Sequence, residues 1–376
     1  MKRFLKFLWK WLVILVLTYT FISVISSYIP PKYFWGLFFL SYSVPLVVGI
    51  NLAMLLLNLL FKNHFWPIAL STVVAIFGIS NNWSWSNDTN DGTANYSVMS
   101  YNVRLFDLYN WLDGKNWDGW KARTDNGATL DSLYSTITES NADFVCIQEY
   151  FNQKKGEYQS TKYLKDQGYK YAHTAYSYEQ KINQYGIATF SKYPIINKSV
   201  IYFKNSKIQN GIQLTDVKIH SDTLRIINVH MQSFKLGRSD YEYLNTLSDS
   251  TLQKIDSKPT KELFKKIKYA FIQRSEQLDE LLSIVRESPH PILLCGDFNE
   301  LPNSYLYRAI TYRLSDSFQE VGKGFGSTFV SNVPGLRIDY VFHSPRLKTV
   351  SHRVVKRKLS DHYPTVVEFK FLSKAN

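Results

Sequence analysis

The chain has 376 residues and a formal net charge of +13 at pH 7. The charge is unevenly distributed, since residues 1–85 contain six Lys or Arg and no Asp or Glu. The rest carries 38 basic against 31 acidic residues, a smaller excess than a dedicated nucleic-acid binder would have. This composition excludes one uniform globular domain and predicts two parts of different kinds.

Three uncharged, apolar segments lie in the first part. They have 19 residues over Trp11–Ile29, 29 over Tyr33–Phe61 and 16 over Phe65–Ser80. A helix needs about 20 apolar residues to cross a bilayer, so the first two are long enough and the third is short. Six of the nine tryptophans also lie here, as in the aromatic belt of a membrane interface. We therefore predict that residues 1–85 form a transmembrane anchor of two or three helices.

The first ten residues contain four basic side chains, which predicts a cytoplasmic N-terminus. A cleaved signal peptide over Met1–Ser27 is the alternative, but no small-x-small cleavage site is evident and two further apolar segments follow. Three crossings would place the rest of the chain outside the cell membrane, and two would leave it inside. Residues 81–94 contain two Asp and no Lys or Arg, which favours three crossings and a soluble domain that faces the periplasm.

Residues 86–95 are polar and turn-rich, which predicts a linker, and residues 96–376 alternate short apolar runs with helical patterns. The predicted strands are Ser97–Tyr101, Phe144–Gln148, Ile187–Phe190, Ile212–Ile219, Arg225–Val229, Ile292–Cys295, Ile338–Phe342 and Thr365–Phe369. The predicted helices are Ala128–Ser140, Thr260–Glu287 and Ser304–Arg313. This mixture predicts a single α/β domain.

Two smaller features complete this part. The polar stretch Phe234–Pro259 is interpreted either as a mobile surface loop or as a flap beside a cleft, because it follows a predicted strand directly. The only cysteines, Cys146 and Cys295, lie in apolar runs, and we expect buried free thiols rather than a disulfide.

Polar side chains stand at the ends of several predicted strands. In chain order they are Asn102, Glu149, His230, Asp297 and Asn299, followed by Asp339 at the start of a strand and by Asp361-His362 before the last one. A carboxylate at a strand end can bind a hard cation or take a proton from water, and His titrates near neutral pH. The spacing therefore predicts one cleft assembled from several strands.

In this order the motifs resemble those of the endonuclease/exonuclease/phosphatase superfamily, and the resemblance covers roughly residues 96–370. That superfamily includes DNase I-like and exonuclease III-like nucleases, bacterial sphingomyelinases, inositol-polyphosphate 5-phosphatases and deadenylases. The resemblance implies a four-layer α/β sandwich, with two mixed β-sheets packed face to face and helices outside. It also implies a phosphoester substrate and Mg²⁺, or alternatively Mn²⁺, as the cofactor.

The resemblance implies a role for each residue that matches a family motif. Glu149 would be the principal Mg²⁺ ligand, and Asn102 and Asp361 would complete or support the metal site. Asp297 would orient or deprotonate the attacking water. Asn299 would hold that water or the phosphate.

His362 would be the general acid or base, or would stabilise the transition state, and Asp339 would fix its tautomer and raise its pKa. His230 matches a phosphate-binding His of the DNase I, sphingomyelinase and 5-phosphatase branches, and the apurinic-endonuclease branch lacks it. The chain departs from the nuclease branch in having no carboxylate between Lys181 and Pro194 to orient this His. The candidate phosphate contacts are Arg104, Thr328 and Arg337.

The sequence thus predicts a membrane-anchored, Mg²⁺-dependent phosphodiesterase of the inner membrane that uses metal-assisted attack of water. The substrate stays open between a nucleic acid, a phospholipid and a small phosphoester, and no obligate protein partner is evident. A phosphomonoesterase is an alternative within the same chemistry. A catalytically inactive membrane scaffold is an alternative of another class, and the complete set of polar residues argues against it.

Overall fold

The computed structural model describes residues 2–61, 65–85, 94–109, 128–203, 210–236, 239–240, 243, 257–331, 333 and 335–372. Most of the predicted linker and most of the stretch 234–259 therefore lie outside the described residues. Four helices come first, namely α1 (Lys2–Ser26), α2 (Leu37–Tyr42), α3 (Val44–Phe61) and α4 (Phe65–Ile79). The apolar segment over residues 33–61 is divided between α2 and α3. Pro45 lies in the first turn of α3, where its missing N–H costs no helical hydrogen bond.

The bundle of α1 to α4 carries its apolar side chains on the outside. Leu15 and Phe77 are 66% and 70% exposed, whereas Asn51 is buried and donates to Thr20 Oγ1 at 2.9 Å. Such a surface is unfavourable in water, and buried contacts between polar residues are typical of helices packed in a bilayer. By length and hydropathy Arg3–Ser26 and Phe65–Asn82 could cross a membrane, and Val44–Asn58 is a shorter apolar helix.

One end of the bundle packs against the remainder of the chain. Arg308 donates to Ser27 Oγ at 2.7 Å and to the carbonyl oxygen of Gly78 at 3.3 Å, so the C-terminal ends of α1 and α4 lie side by side. The ring of Phe38 in α2 stacks on Phe271 with centroids 3.6 Å apart. The N-terminus of α1 therefore lies at the end of the bundle away from the sheets.

The described residues after the bundle form twelve strands. They are β1 (Tyr96–Asn102), β2 (Phe144–Gln153), β3 (Tyr171–Gln180), β4 (Asn183–Ser191), β5 (Ile195–Tyr202), β6 (Gly211–Ile219), β7 (Asp222–His230), β8 (Ile292–Asp297), β9 (Ser315–Asp316), β10 (Asp339–His343), β11 (Leu347–Val354) and β12 (Thr365–Phe371). The helices among them are α5 (Ala128–Glu139), α6 (Ser160–Asp166), α7 (Ser257–Glu287), α8 (Tyr305–Thr311) and α9 (Ser317–Val321). All eight predicted strands and all three predicted helices are confirmed to within a few residues, except that β2, β4 and β7 are longer.

The strands form two mixed six-stranded sheets. Their orders are β11-β12-β1-β2-β4-β3 and β5-β6-β7-β8-β10-β9. Only β1 with β2 and β7 with β8 pair in parallel among the described strands. Each sheet therefore has one pair of strands whose carboxyl ends lie side by side.

Apolar side chains from both sheets form the innermost core. Val98 and Val367 of the first sheet pack there with Ile226, Leu293 and Val341 of the second. Helices α5 and α6 cover the outer face of the first sheet, and α7 and α8 cover that of the second. The predicted four-layer α/β sandwich is confirmed. The two cysteines are buried in the inner layer as free thiols, also as predicted.

Candidate active site

The polar strand ends meet at one edge of the sandwich. In the first sheet Asn102 pairs in register with Gln148, and in the second His230 pairs with Asp297. The two sheets are joined there, because Gln148 Nε2 donates to Asn228 Oδ1 at 2.7 Å in the buried layer. Motifs that lie far apart in sequence are therefore close together at this edge of the two sheets.

Glu149 stands at an irregularity in β2. The register of β2 with β4 shifts between Ile147 and Tyr150, and Glu149 has a left-handed φ of 48°. A bulge of this kind redirects a side chain that regular alternation would place elsewhere. Asn102 Nδ2 approaches Glu149 Oε1 at 3.4 Å, and burial raises the pKa of the carboxyl above its ordinary value.

Asp297 lies at the centre of the cluster. Asn102 Nδ2 donates to its Oδ2 at 3.0 Å, and the Nε2 atoms of His362 and His230 are 3.6 and 3.7 Å from the same oxygen. The preceding Gly296 has φ 151°, and a Cβ there would lie 1.9 Å from the carbonyl oxygen of Val229. Only glycine lets β8 approach β7 this closely. Burial raises the pKa of Asp297, and the charge of the nearby Asp339 raises it further.

His362 is held by Asp339. Its Nδ1 is 2.8 Å from Asp339 Oδ2, and the edge of the Phe329 ring packs against the imidazole. Burial disfavours protonation, but the carboxylates of Asp339 and Asp297 outweigh it and hold the pKa of His362 well above its usual range. The imidazole is therefore a proton donor whose Nε2 faces Asp297.

Arg104 and Asn299 reach the cleft from strained turns. Arg104 to Asp107 all have left-handed φ values between 45° and 56°, a conformation that is unfavourable for non-glycine residues. The Arg104 N–H donates to Asn102 Oδ1 at 3.0 Å, and Nη1 pairs with Asp361 Oδ2 at 3.0 Å. Asn299 has φ 54° and donates from Nδ2 to the carbonyl oxygen of Met231 at 3.2 Å. Such strain is typical of residues that surrounding structure holds in place for function.

These groups line one cleft of about 490 Å³. The predicted site residues on its wall are Arg104, Glu149, Asp297, Asn299, Asp361 and His362. Asn102, His230 and Asp339 do not line it but contact those that do. The structure thus brings together nine of the eleven residues that the sequence predicted.

Thr328 and Arg337 are not brought to the cleft wall. Thr328 Oγ1 accepts the backbone N–H groups of Ile338 and Asp339 at 3.0 and 3.1 Å, so it positions the start of β10. Arg337 is buried and pairs with Asp316 Oδ2 at 2.6 Å. Its guanidinium packs on three aromatic rings and donates to the carbonyl oxygen of Asn81, which makes it a structural residue here.

The donor set of the cleft suits a hard divalent cation. Glu149, Asp297 and Asp361 present carboxylates to the cleft. The Asn102 amide lies beside the first two, with Nδ2 towards their oxygens and Oδ1 accepting the Arg104 N–H. The carboxylate of Asp297 is buried and those of Glu149 and Asp361 are partly buried, so their closeness favours a bound cation. Asp297, Asp339 and His362 also offer ligand atoms within 4.8 Å of one another. Because Asp339 and His362 already bind each other, the Glu149 side of the cleft fits the ion better.

Sequence reasoning missed several residues of the cleft and its support. Tyr42 of α2 lines the cleft together with Phe234 and Leu236. Behind them the buried Arg274 binds Glu300 with Nε 2.7 Å from Oε1. Tyr42 and Glu300 are separated by 258 positions, so no local pattern could have indicated their contact.

Comparison with known proteins identifies the class. Residues 99–219 and 256–362 match the sequence model of the Endonuclease/Exonuclease/phosphatase family, which is more than half of the chain. The chain belongs to this family, whose members include nucleases, phosphodiesterases and phosphatases. They are mostly hydrolases of phosphoester bonds and generally use divalent metal ions.

Solved structures show the same fold at low identity. An endonuclease/exonuclease/phosphatase from Bacteroides vulgatus is 15% identical, covering 74% of this chain and 99% of its own, with a TM-score of 0.51. The protein of the same description from Beutenbergia cavernae is 17% identical, covering 74% of this chain and 72% of its own, with a TM-score of 0.50. A comparison with curated proteins finds no match.

Proposed function

We propose that this protein is a membrane-anchored phosphodiesterase that depends on a divalent metal ion, Mg²⁺ or Mn²⁺. The observation that carries the proposal is the position of Asp297, which contacts Asn102 and both histidines at the floor of a cleft. A phosphodiester is anionic, so its hydrolysis needs charge neutralisation, an activated water and a protonated leaving group. The residues of this cleft can supply all three.

The roles follow from charge and burial. Asp297, whose pKa is raised by burial, orients the attacking water and accepts its proton. His362, protonated because of Asp339, has its Nε2 3.6 Å from Asp297 Oδ2 and donates to the phosphate or the leaving oxygen. Glu149, Asn102 and Asp361 would hold the metal ion, which supplies Lewis acidity at the phosphate oxygens when bound.

Two further groups would bind the phosphate. His230 is buried, with Nε2 3.9 Å from Glu149 Oε1 and 3.7 Å from Asp297 Oδ2. Arg104 is partly exposed and offers guanidinium N–H groups beside Asp361. Both side chains can donate hydrogen bonds to phosphate oxygens, which suits an anionic substrate. Thr328 and Arg337 have no place in this proposal.

The anchor supports a periplasmic location. Its apolar outer surface fits a bilayer, and the basic N-terminus lies at the end of the bundle away from the sheets. If α1, α3 and α4 each cross once, the catalytic domain lies on the side opposite the cytoplasmic N-terminus. We therefore propose an inner-membrane protein with an outward-facing site.

The test uses the full-length protein in detergent micelles with bis(p-nitrophenyl) phosphate, and with p-nitrophenyl phosphate as the monoester. We expect turnover of the diester that EDTA abolishes and Mg²⁺ or Mn²⁺ restores. Glu149→Gln should lower turnover at least about 100-fold, since a metal ligand is worth several kcal/mol at the transition state. Its melting temperature should not fall.

Glu157→Gln is the matched control, because Glu157 is an exposed glutamate outside the residues that line the cleft. It should leave turnover unchanged. Full activity of Glu149→Gln at saturating Mg²⁺ would remove Glu149 from the metal site. A preference for the monoester would make the protein a phosphomonoesterase.

A further inference from the structure

Part of the cleft lining, here called the apolar wall, consists of apolar side chains although the cleft is open to solvent. It is formed by Phe234, Leu236, Leu301, Phe329, Leu336 and Ile338. All six are partly exposed, and none belongs to the hydrophobic clusters of the described residues. Phosphate and its metal ion make no use of such a wall. It indicates a substrate with an apolar portion next to the scissile phosphodiester.

The cleft also lies against the anchor. Tyr42 is part of its lining, and Tyr42 stands two residues before α3 begins. The phenol donates to Glu300 Oε2 at 2.5 Å and accepts the N–H of Leu301 at 3.4 Å, so it is fixed to the apolar wall. The reacting phosphate would therefore bind within a few side-chain lengths of the end of a membrane helix.

The neighbouring surface has the composition of a membrane interface. Phe39 of α2 and Phe264 of α7 are 39% and 43% exposed, and their ring centroids are 5.5 Å apart. The Lys268 ammonium lies over the Trp35 ring at 5.3 Å. Exposed aromatic rings beside lysines are typical of the head-group region of a bilayer. This observation is independent of the cleft lining and places the bilayer surface on the same side.

We propose that the substrate is a phosphodiester of a membrane lipid, taken from the leaflet beside the catalytic domain. The phosphate binds at Asp297 and His362, and the first part of the hydrocarbon lies along the wall that contains Leu301 and Leu336. This inference rests on the proposed function and names its substrate class. A nucleic acid would leave the apolar wall in water and would make no use of the interface.

The hydrolysis balances with water alone. The water oxygen forms a bond to phosphorus while its proton passes to Asp297. The bond between phosphorus and one ester oxygen breaks, and that oxygen takes a proton from His362. The products are an alcohol and a phosphomonoester, one of which stays in the membrane.

The test compares each lipid with its deacylated form, which lacks only the hydrocarbon chains, and with a nucleic acid. Full-length protein in mixed micelles is given dioleoyl phosphatidylcholine or dioleoyl phosphatidylglycerol, the deacylated glycerophosphodiester of each, and a single-stranded oligonucleotide. At least one lipid should be hydrolysed with a kcat/KM at least about 50-fold above its deacylated form, the effect of burying about three methylenes. Equal or faster hydrolysis of the deacylated forms or of the oligonucleotide would overturn the inference.

A variant separates the apolar wall from the chemistry. Leu336→Asn should raise KM for the lipid about tenfold and should raise KM for the deacylated form of that lipid by a clearly smaller factor. Leu236→Asn is the second variant on the same wall, should Leu336→Asn not fold. Ile196→Asn is the control, because Ile196 is 56% exposed on β5 and does not line the cleft.

The outcomes distinguish the two proposals. Equal rises in KM for the lipid and for its deacylated form in both wall variants would overturn the substrate class while the phosphodiesterase activity stands. Absence of metal-dependent hydrolysis of bis(p-nitrophenyl) phosphate and of every lipid by the unmodified protein would overturn the proposed function as well.

Discussion

The buried ion pair between Arg274 and Glu300 gives the sharpest test of how the anchor, α7 and the cleft are joined. Both side chains are nearly inaccessible, and Arg274 Nε is 2.7 Å from Glu300 Oε1. Arg274 Nη1 donates to the carbonyl oxygen of Gln232 at 2.7 Å, and Tyr42 donates to the other Glu300 oxygen. The guanidinium carbon also lies 4.6 Å from the ring centroid of Phe234, which lines the cleft.

Removing one partner leaves the other charge buried. Arg274→Met leaves the Glu300 carboxylate with Tyr42 as its remaining described donor, and Glu300→Gln leaves a buried guanidinium. Breaking a buried pair in this way costs about 3–5 kcal/mol. Each single variant should therefore lower the melting temperature by about 5 °C. The double variant removes both charges, so its loss should fall short of the sum of the single losses by about 2 kcal/mol.

The assay is thermal unfolding of the full-length protein in one detergent, followed by intrinsic fluorescence. The exposed neighbours Arg286 and Glu287 provide the control pair, and Arg286→Met with Glu287→Gln should change little. Because Phe234 packs on Arg274, the Arg274→Met variant should also raise KM for a lipid substrate. Additive single losses, or an Arg274→Met variant as stable as the control, would refute this account of the contact.

Three further outcomes are expected. His362→Ala should lower turnover about 10²–10⁴-fold and Asp339→Ala less, with the double variant resembling His362→Ala; additive losses would show that Asp339 acts independently. Burial lowers the pKa of His173 from 6.5 to about 4, so the unfolded chain takes up the proton first. The stability of the protein should be complete above pH 6.5 and decline towards pH 4, by about 3 kcal/mol at most. His173→Gln should melt with a weaker dependence on pH over this range, and an unchanged dependence would contradict the assignment. Alkaline phosphatase fused after Lys370 should be active and green fluorescent protein dark in a bacterial host, whereas the reverse would indicate two crossings.

The sequence predicted the central strands of the two sheets better than the edge strands. The four strands that were missed, β3, β5, β9 and β11, are the outermost strands of the two sheets. An edge strand has one unpaired side and less burial, so its sequence needs no continuous apolar run. Five of the eight residues of β5 are exposed, and its pattern resembles that of a loop. The strand ends that carry the site could be predicted because they follow fully buried central strands.

Arg337 was predicted to contact the phosphate but is buried away from the cleft, and the physical reason differs from that for the edge strands. A basic residue inside a run of polar motifs suggests a phosphate contact, but its pairing depends on groups far away in sequence. Asp316 supplies the countercharge, and the carbonyl oxygen of Asn81 comes from the end of the anchor. Sequence spacing indicates which residue types lie at a strand end. It cannot indicate which basic side chain will pair with a distant carboxylate in the protein interior.

The helices α1 to α4 are part of the folded unit, because several of their groups complete the packing of the residues that follow them. Arg308 uses Ser27 and Gly78 as hydrogen-bond acceptors, and Phe271 is covered by Phe38. These contacts fix the orientation of the sheets relative to α1 and α4. If these helices span a bilayer as proposed, the cleft would keep one direction with respect to it, and lateral diffusion would bring lipid phosphodiesters to the cleft without their leaving the leaflet. A soluble polyanion would have no such advantage, so the proposed membrane location favours the proposed lipid substrate.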